Sequence, residues 1–148
     1  MKVAAVVPFK CFRRGKNRLR ARYADSEVEQ ILHALLLDVL GALGCAREVD
    51  YLAVLTDDEA VARVARAAGA DVRLRTPDPG LNEAIELAAA ELEAAGYEAL
   101  LVVLGDLPLL RGADVDEALQ AAGVAAAYCV TKSGANDSIP SASDLQSF

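Results

Sequence analysis

Apolar residues along the chain fall into two kinds of run. Val3 to Val7 is continuous and rich in β-branched side chains, as expected of a strand buried on both faces. After a polar loop from Phe9 to Asp25, Ser26 to Gly44 carries Val28, Ile31, Leu32, Leu35, Leu36, Val39, Leu40 and Leu43 at alternating spacings of three and one. That spacing keeps them on one face of a helix. Ser26 with Glu29 offers a capping box at its start, and Gly44 offers a stop. Tyr51 to Leu55 predicts a second strand. Thr56 with Glu59 makes a second capping box, opening a helix that runs to about Ala68 before Gly69. Val72 to Leu74 predicts a third strand, and Thr76-Pro77-Asp78-Pro79-Gly80 a breaking turn. A helix follows from Asn82 to Ala95, ended by Gly96, then a fourth strand from Ala99 to Leu104. Asp114 to Ala122 reads as a short helix and Val124 to Val130 as a fifth strand.

Strands alternating with helices predict an α/β fold, a Rossmann-like, doubly wound and mostly parallel sheet covered on both faces. Ligands in such sheets bind beyond the carboxyl ends of the strands. The loops after Val7, Leu55, Leu74 and Leu104 are therefore where function is expected. Residues 1–130 read as one domain. Thr131 to Phe148 is polar, Ser-rich and without periodicity, and reads as an irregular or disordered tail.

Composition narrows the function classes. The 148 residues suit one core, 54% are hydrophobic and 25% charged, and alanine fills about a fifth of positions, which favours helix over an all-β fold. The net charge of −7 is the wrong sign for a protein that neutralises nucleic-acid phosphates. No uninterrupted apolar run reaches the ~18 residues of a membrane span, and the opening MKVAAVVPFK is too short for a signal-peptide core. Cys11, Cys45 and Cys129 form neither a CxxC site nor a disulfide framework, so a reducing cytoplasm is the simplest setting. With His33 as its one histidine, the chain has no His cluster for zinc and little basis for a Ser-His-Asp mechanism.

Three segments carry candidate chemistry. The loop after the first strand, PFKCFRRGKNRLR, packs Lys10, Arg13, Arg14, Lys16, Arg18 and Arg20 into an otherwise acidic protein. Such donors at a strand end suit a polyphosphate, and Gly15 permits close backbone approach; the same residues also suit a solvated basic loop. It is not a Walker A loop, because Gly15-Lys16 is followed by Asn17, and no G-x-G-x-x-G is present. Gly105-Asp106-Leu107-Pro108-Leu109-Leu110 follows the fourth strand. Asp106, its backbone fixed by Pro108, suits Mg²⁺ facing a triphosphate, or equally a turn or helix cap. In Gly80-Leu81-Asn82-Glu83-Ala84, Asn82 offers an amide to a base edge or ribose, and is also a good helix N-cap. Asp57 and Asp58 could form a carboxylate pair, although helix-start residues near the positive dipole end are expected there. Cys11 lies among cations that could activate it, with nothing nearby to complete a nucleophilic site.

VVPFK with GKNRL, then GLNEA, then LVVLGDLPLL, in that order and spacing, resembles the CofC family of the MobA-like nucleotidyltransferase superfamily, from Met1 to about Val130. GDLPLL alone is shared by several nucleotidyltransferases; its combination with the other two elements separates this family. The resemblance implies a nucleotide-diphospho-sugar transferase-like sheet. It also implies transfer of GMP from GTP to 2-phospho-L-lactate, phosphoenolpyruvate or 3-phosphoglycerate with release of pyrophosphate, in biosynthesis of coenzyme F-420. Lys10, Lys16 and Arg18 would hold the triphosphate, with Lys16 and Asp106 the catalytic pair. Asn82 would lie by the nucleoside, Asp106 would ligate Mg²⁺, and Pro8, Leu107 and Pro108 would flank the nucleotide.

The sequence departs from the family pattern after the fifth predicted strand. A Gly-Thr-Asn element is reduced to Gly134-Ala135-Asn136, and the following Phe-Gly-x-x-Ser element is absent. The resemblance implies that both help form the acceptor site and the rest of the metal site. The resemblance therefore implies an N-terminal portion of the fold, incomplete at its C-terminal side, with a sheet edge that a partner subunit could cover in a homo-oligomer. Two alternatives follow: a non-catalytic nucleotide-binding remnant, and a nucleotidyltransferase using another base or acceptor.

Overall fold

The computed structural model describes residues 1–13 and 17–129. It contains β1 (Val3–Pro8), α1 (Asn17–Arg20), α2 (Asp25–Cys45), β2 (Tyr51–Thr56), α3 (Glu59–Ala67), β3 (Asp71–Leu74), α4 (Leu81–Ala94), β4 (Ala99–Val102) and α5 (Gly112–Cys129). The strands form one parallel sheet in the order β3-β2-β1-β4. Val6 pairs with Ala53 of β2 on one side and Val102 of β4 on the other.

The two-residue period of a strand explains the layers. Ala5 and Val7 of β1, with Val54 of β2, face a core built from Leu36, Val39, Leu40 and Leu43 of α2, Val61 of α3 and Val115 of α5. Ala4 and Val6, with Ala53 and Leu55, face the opposite way onto Ala84, Ala88 and Leu92 of α4. β1 therefore needs apolar residues throughout, as its sequence supplies. Among the described residues α2 is the one helix long and apolar enough to cross a membrane, at a mean hydropathy of 1.5; here its stripe lies on the sheet.

Local chemistry moves several expected boundaries. Neither predicted capping box forms. α2 starts after Ala24, whose N–H donates to Glu27 Oε2 at 2.9 Å. α3 is capped by Asp58, whose Oδ1 accepts from the N–H groups of Ala60 at 2.7 Å and Val61 at 3.2 Å. Thr56 instead ends β2, its hydroxyl donating to the Lys10 carbonyl at 3.1 Å and accepting from the Asp58 N–H. Gly80 precedes α4 at φ 95°, a conformation other residues adopt at a cost. Asn82 is therefore inside the first turn and is not the cap.

The predicted fifth strand is corrected. Residues 124–129 continue α5, which runs from Gly112 to Cys129. Alanine dominates Gln120 to Tyr128, and helix propensity prevails there over the short apolar run. Gly123 is tolerated at a cost of about 1 kcal/mol relative to alanine. Val130 and the predicted tail at 131–148 lie outside the described residues.

Topology places a crevice. From β1 the chain moves outward to β2 and β3, and α4 then returns it across the sheet to β4 on the far side of β1. The order reverses between β1 and β4, and the carboxyl ends of strands at such a switch point are where α/β sheets bind ligands.

Candidate active site

A cavity of about 330 Å³ opens at the carboxyl ends of all four strands. Pro8, Phe9, Lys10 and Cys11 come from the end of β1, Thr56 and Asp57 from β2, Arg75 from β3, and Leu104, Gly105 and Asp106 from the segment after β4. Leu81 and Ala84 of α4 and Leu32 of α2 complete largely apolar walls. The loops flagged by strand order thus converge.

Hydrogen bonds hold the first loop against the sheet. The Phe9 N–H donates to the Leu55 carbonyl at 2.9 Å, and Thr56 holds the Lys10 carbonyl. Farther along, Phe9 packs on Phe12 (centroids 5.3 Å apart) and Phe12 on His33 (5.5 Å). The Arg20 guanidinium bonds the Phe12 carbonyl at 2.9 Å and Asp25 at 2.6 Å. Aromatic contacts and one arginine therefore shape a loop whose composition suggested only charge.

Gly105 is fixed by this packing. A Cβ at this position would lie 2.5 Å from Cδ2 of Phe9 and 3.2 Å from Val7 Cγ1. Gly105→Ala should destabilise the protein by about 1–3 kcal/mol through overpacking. Thermal melts check this, and in a Phe9→Ala background the same substitution should cost much less, because the clash is removed.

The charged groups sort into pairs. Lys10 Nζ lies 2.9 Å from Asp78 Oδ2, joining the β1 loop to the turn before α4. Asp78 also accepts from the Gly80 N–H at 2.9 Å. The Lys10 ammonium, then that N–H, holds the Asp78 carboxyl below its usual range, and Asp78 in turn raises Lys10. The sign is that of a depressed carboxylate. The tether is complete at neutral pH and is lost as pH falls through the lowered Asp78 value, or as it rises through the raised Lys10 value. Arg75 is held by Glu91 of α4, which also bonds Arg73. Arg75, foremost, lowers the Glu91 carboxyl. Arg73 lies over the Tyr51 ring at 5.7 Å.

Of the residues singled out from sequence, Pro8, Lys10 and Asp106 line the cavity. Asn82, Arg18, Leu107 and Pro108 are exposed and do not line it, although Asn82's neighbours Leu81 and Ala84 do. Lys16, like Arg14 and Gly15, lies outside the described residues. Arg13 reaches Glu29 at 3.9 Å, and His33 stands away on α2. Arg75 and Asp78 were not singled out, although each lies within four residues of the third strand's end, where ligands were expected. Among the described residues no three His, Cys, Asp or Glu side chains gather as a metal site. Asp106 supplies one carboxylate of hard oxygen donors, which fits Mg²⁺ because that ion is commonly held by one or two carboxylates together with substrate phosphates and water.

The sheet, its switch-point cavity and the cation-and-carboxylate wall define an α/β domain with a strand-end site suited to an anionic ligand. The chain belongs to the family described as guanylyl transferase CofC like, whose model matches residues 3–137. It is similar to a phosphoenolpyruvate guanylyltransferase of Sphaerobacter thermophilus, 38% identical over 116 residues, 78% of this chain and 56% of that protein. It is similar to a 3-phospho-D-glycerate guanylyltransferase of Phenylobacterium zucineum, 44% identical over 109 residues, 71% of this chain and 50% of that one. A 2-phospho-L-lactate guanylyltransferase of Methanothermobacter thermautotrophicus is 35% identical over 119 residues, 80% and 52% of the two chains. The chain thus spans about half the length of the curated relatives it matches. Two solved structures share the fold. One is a Desulfovibrio desulfuricans G20 protein assigned as a nucleotide-diphospho-sugar transferase (TM-score 0.66, 17% identity, 81% of this chain and 54% of that one). The other is a CMP:2-keto-3-deoxy-manno-octonic acid synthetase complexed with CTP (TM-score 0.56, 19% identity, 81% and 46%).

Proposed function

We propose that the strand-end cavity binds GTP and that the protein transfers its guanylyl group to a phosphorylated three-carbon acid, releasing pyrophosphate. The observation that carries this reading is the convergence of Lys10 and Asp106 on one apolar-walled cavity at the switch point, in a chain of this family. The acceptor's phosphate oxygen attacks the α-phosphorus. The bond from that phosphorus to the bridging oxygen breaks, and pyrophosphate leaves with the electron pair. A phosphate is already ionised at neutral pH, so the step needs no general base, consistent with His33 standing off the cavity. The protein's part is positioning and charge stabilisation. Lys10 neutralises the triphosphate at the end of β1, and Lys16 and Arg18, farther along the sequence, would add positive charge; the apolar walls enclose the nucleoside and exclude water. Asp106 would hold Mg²⁺, which when bound neutralises charge on the phosphate oxygens. The acceptor is 2-phospho-L-lactate, phosphoenolpyruvate or 3-phosphoglycerate, for a cytoplasmic route to coenzyme F-420.

Pyrophosphate release from GTP and Mg²⁺ with each of the three acids tests this reading. Release with one of them supports it, and release with none overturns the transferase reading for this chain. A GTP-induced rise in melting temperature without pyrophosphate release would instead mark nucleotide binding without turnover.

The Lys10–Asp78 pair competes with the triphosphate for the ammonium group. The pair is exposed and screened by solvent, so Asp78→Asn should tighten GTP binding only about two- to five-fold. Calorimetric titration of both proteins checks this. Unchanged or weaker binding by the variant would place the phosphates elsewhere.

A further inference from the structure

Four of the cavity's ionisable wall residues, one beyond each strand, follow the strand order. Asp106 lies beyond β4, Lys10 beyond β1, Asp57 beyond β2 and Arg75 beyond β3. Adjacent strands lie about 4.8 Å apart, so Asp57 is one interval from Lys10 and two, roughly 10 Å, from Asp106.

Most of these groups are committed. Lys10 is paired with Asp78, Arg75 with Glu91, and Asp106 has an interaction of its own. Of the adjacent aspartates, Asp58 is consumed in capping α3. Asp57 lines the cavity and makes no side-chain hydrogen bond or ion pair among the described residues. An ionised carboxylate is an acceptor only, with two oxygens that can take two neighbouring donors. It repels phosphate, so its complement is the part of a nucleotide that presents N–H or O–H groups.

We propose that Asp57 is a specificity-determining residue that accepts a pair of donors from the nucleoside half of the bound nucleotide. This rests on the GTP reading above. With the triphosphate over β4 and β1, the nucleoside extends over β2 and β3, where Asp57 stands. Guanosine offers two such donor pairs: the N1–H with the N2 amino group of the base, and the two ribose hydroxyls. The chemistry is shared, and ligand analogues separate the two.

The test is calorimetric titration of the wild-type chain, Asp57→Ala and Asp57→Asn with three Mg²⁺ complexes: GTP, inosine triphosphate, which lacks the N2 amino group, and 2′,3′-dideoxy-GTP, which lacks both hydroxyls. Asp57 is exposed and acts on Lys10 only through its charge among the described residues, so neither substitution should alter the melting temperature. Loss of a charged hydrogen bond should weaken GTP binding by roughly 10- to 100-fold in Asp57→Ala. The wild-type preference for GTP over one analogue should collapse in both variants, and that analogue identifies the donors. GTP binding unchanged in Asp57→Ala, or equal weakening for all three ligands, would overturn the assignment while leaving GTP as the ligand. Failure of the wild-type chain to bind GTP would overturn both readings.

Discussion

Asp106→Asn should reduce pyrophosphate release by about 100-fold or more and remove the Mg²⁺ dependence of nucleotide binding. Asp106 lies on the cavity wall just beyond β4, facing the site across the switch point from Lys10. The substitution keeps the shape and exchanges an anionic oxygen for a neutral amide, which holds a hard divalent cation poorly. Metal stabilisation of a phosphoryl group is worth several kcal/mol, and each 1.36 kcal/mol is ten-fold in rate. Titrating Mg²⁺ in both proteins checks the assignment. A variant with unaltered metal dependence would show that Asp106 serves the turn alone.

Leu36→Ala should lower stability by about 3 kcal/mol, and the melting temperature by roughly 10 °C for a chain of this size. Leu36 is 0% exposed and sits in the core formed by α2, α3 and α5 on the Ala5–Val7 face of the sheet. Truncation leaves a cavity between rigid elements that collapse only partly. Leu37, the next residue, is 39% exposed, so Leu37→Ala should change stability by about 0.5 kcal/mol or less. Comparable losses at both positions would mean that α2 is packed on a different face.

How much of this was legible in the sequence depended on the range of the interactions involved. Val3 to Val7 announced a central strand because burial on both faces demands an unbroken apolar run, and the stripe from Val28 to Leu43 announced α2 because one face must meet the sheet. Both patterns are local and periodic. The stretch from Val124 was misread because a short apolar run fits strand or helix, and only its alanine content marked it as a continuation of α5. The helix starts shifted by one to three residues because several side chains near each start could cap it, and geometry chose Asp58 over Thr56.

For the site, the strand-end rule pointed to the loops where the cavity lies, and Lys10 and Asp106 line it. It did not reveal which polar residues would be spent on structure. Asp78 sat in a turn read only as a breaker, yet it tethers Lys10. The roles of Asp57 and Asp58 separate only once the helix axis is known, since one caps it and the other faces the cavity. Gly105 stood out only as part of the GDLPLL element; the reason a glycine is needed there comes from Phe9, 96 residues earlier, and was not legible.

The central claim is that the strand-end cavity takes GTP with its triphosphate at Lys10 and Asp106. Calorimetric titration of the 148-residue chain with GTP and Mg²⁺, set against Lys10→Glu, tests it most directly. The account predicts one binding event per chain in the wild type, dependent on Mg²⁺, and its loss in Lys10→Glu, where charge is reversed at the phosphate end. No heat of binding in the wild type, or equal affinity in the two proteins, would contradict it.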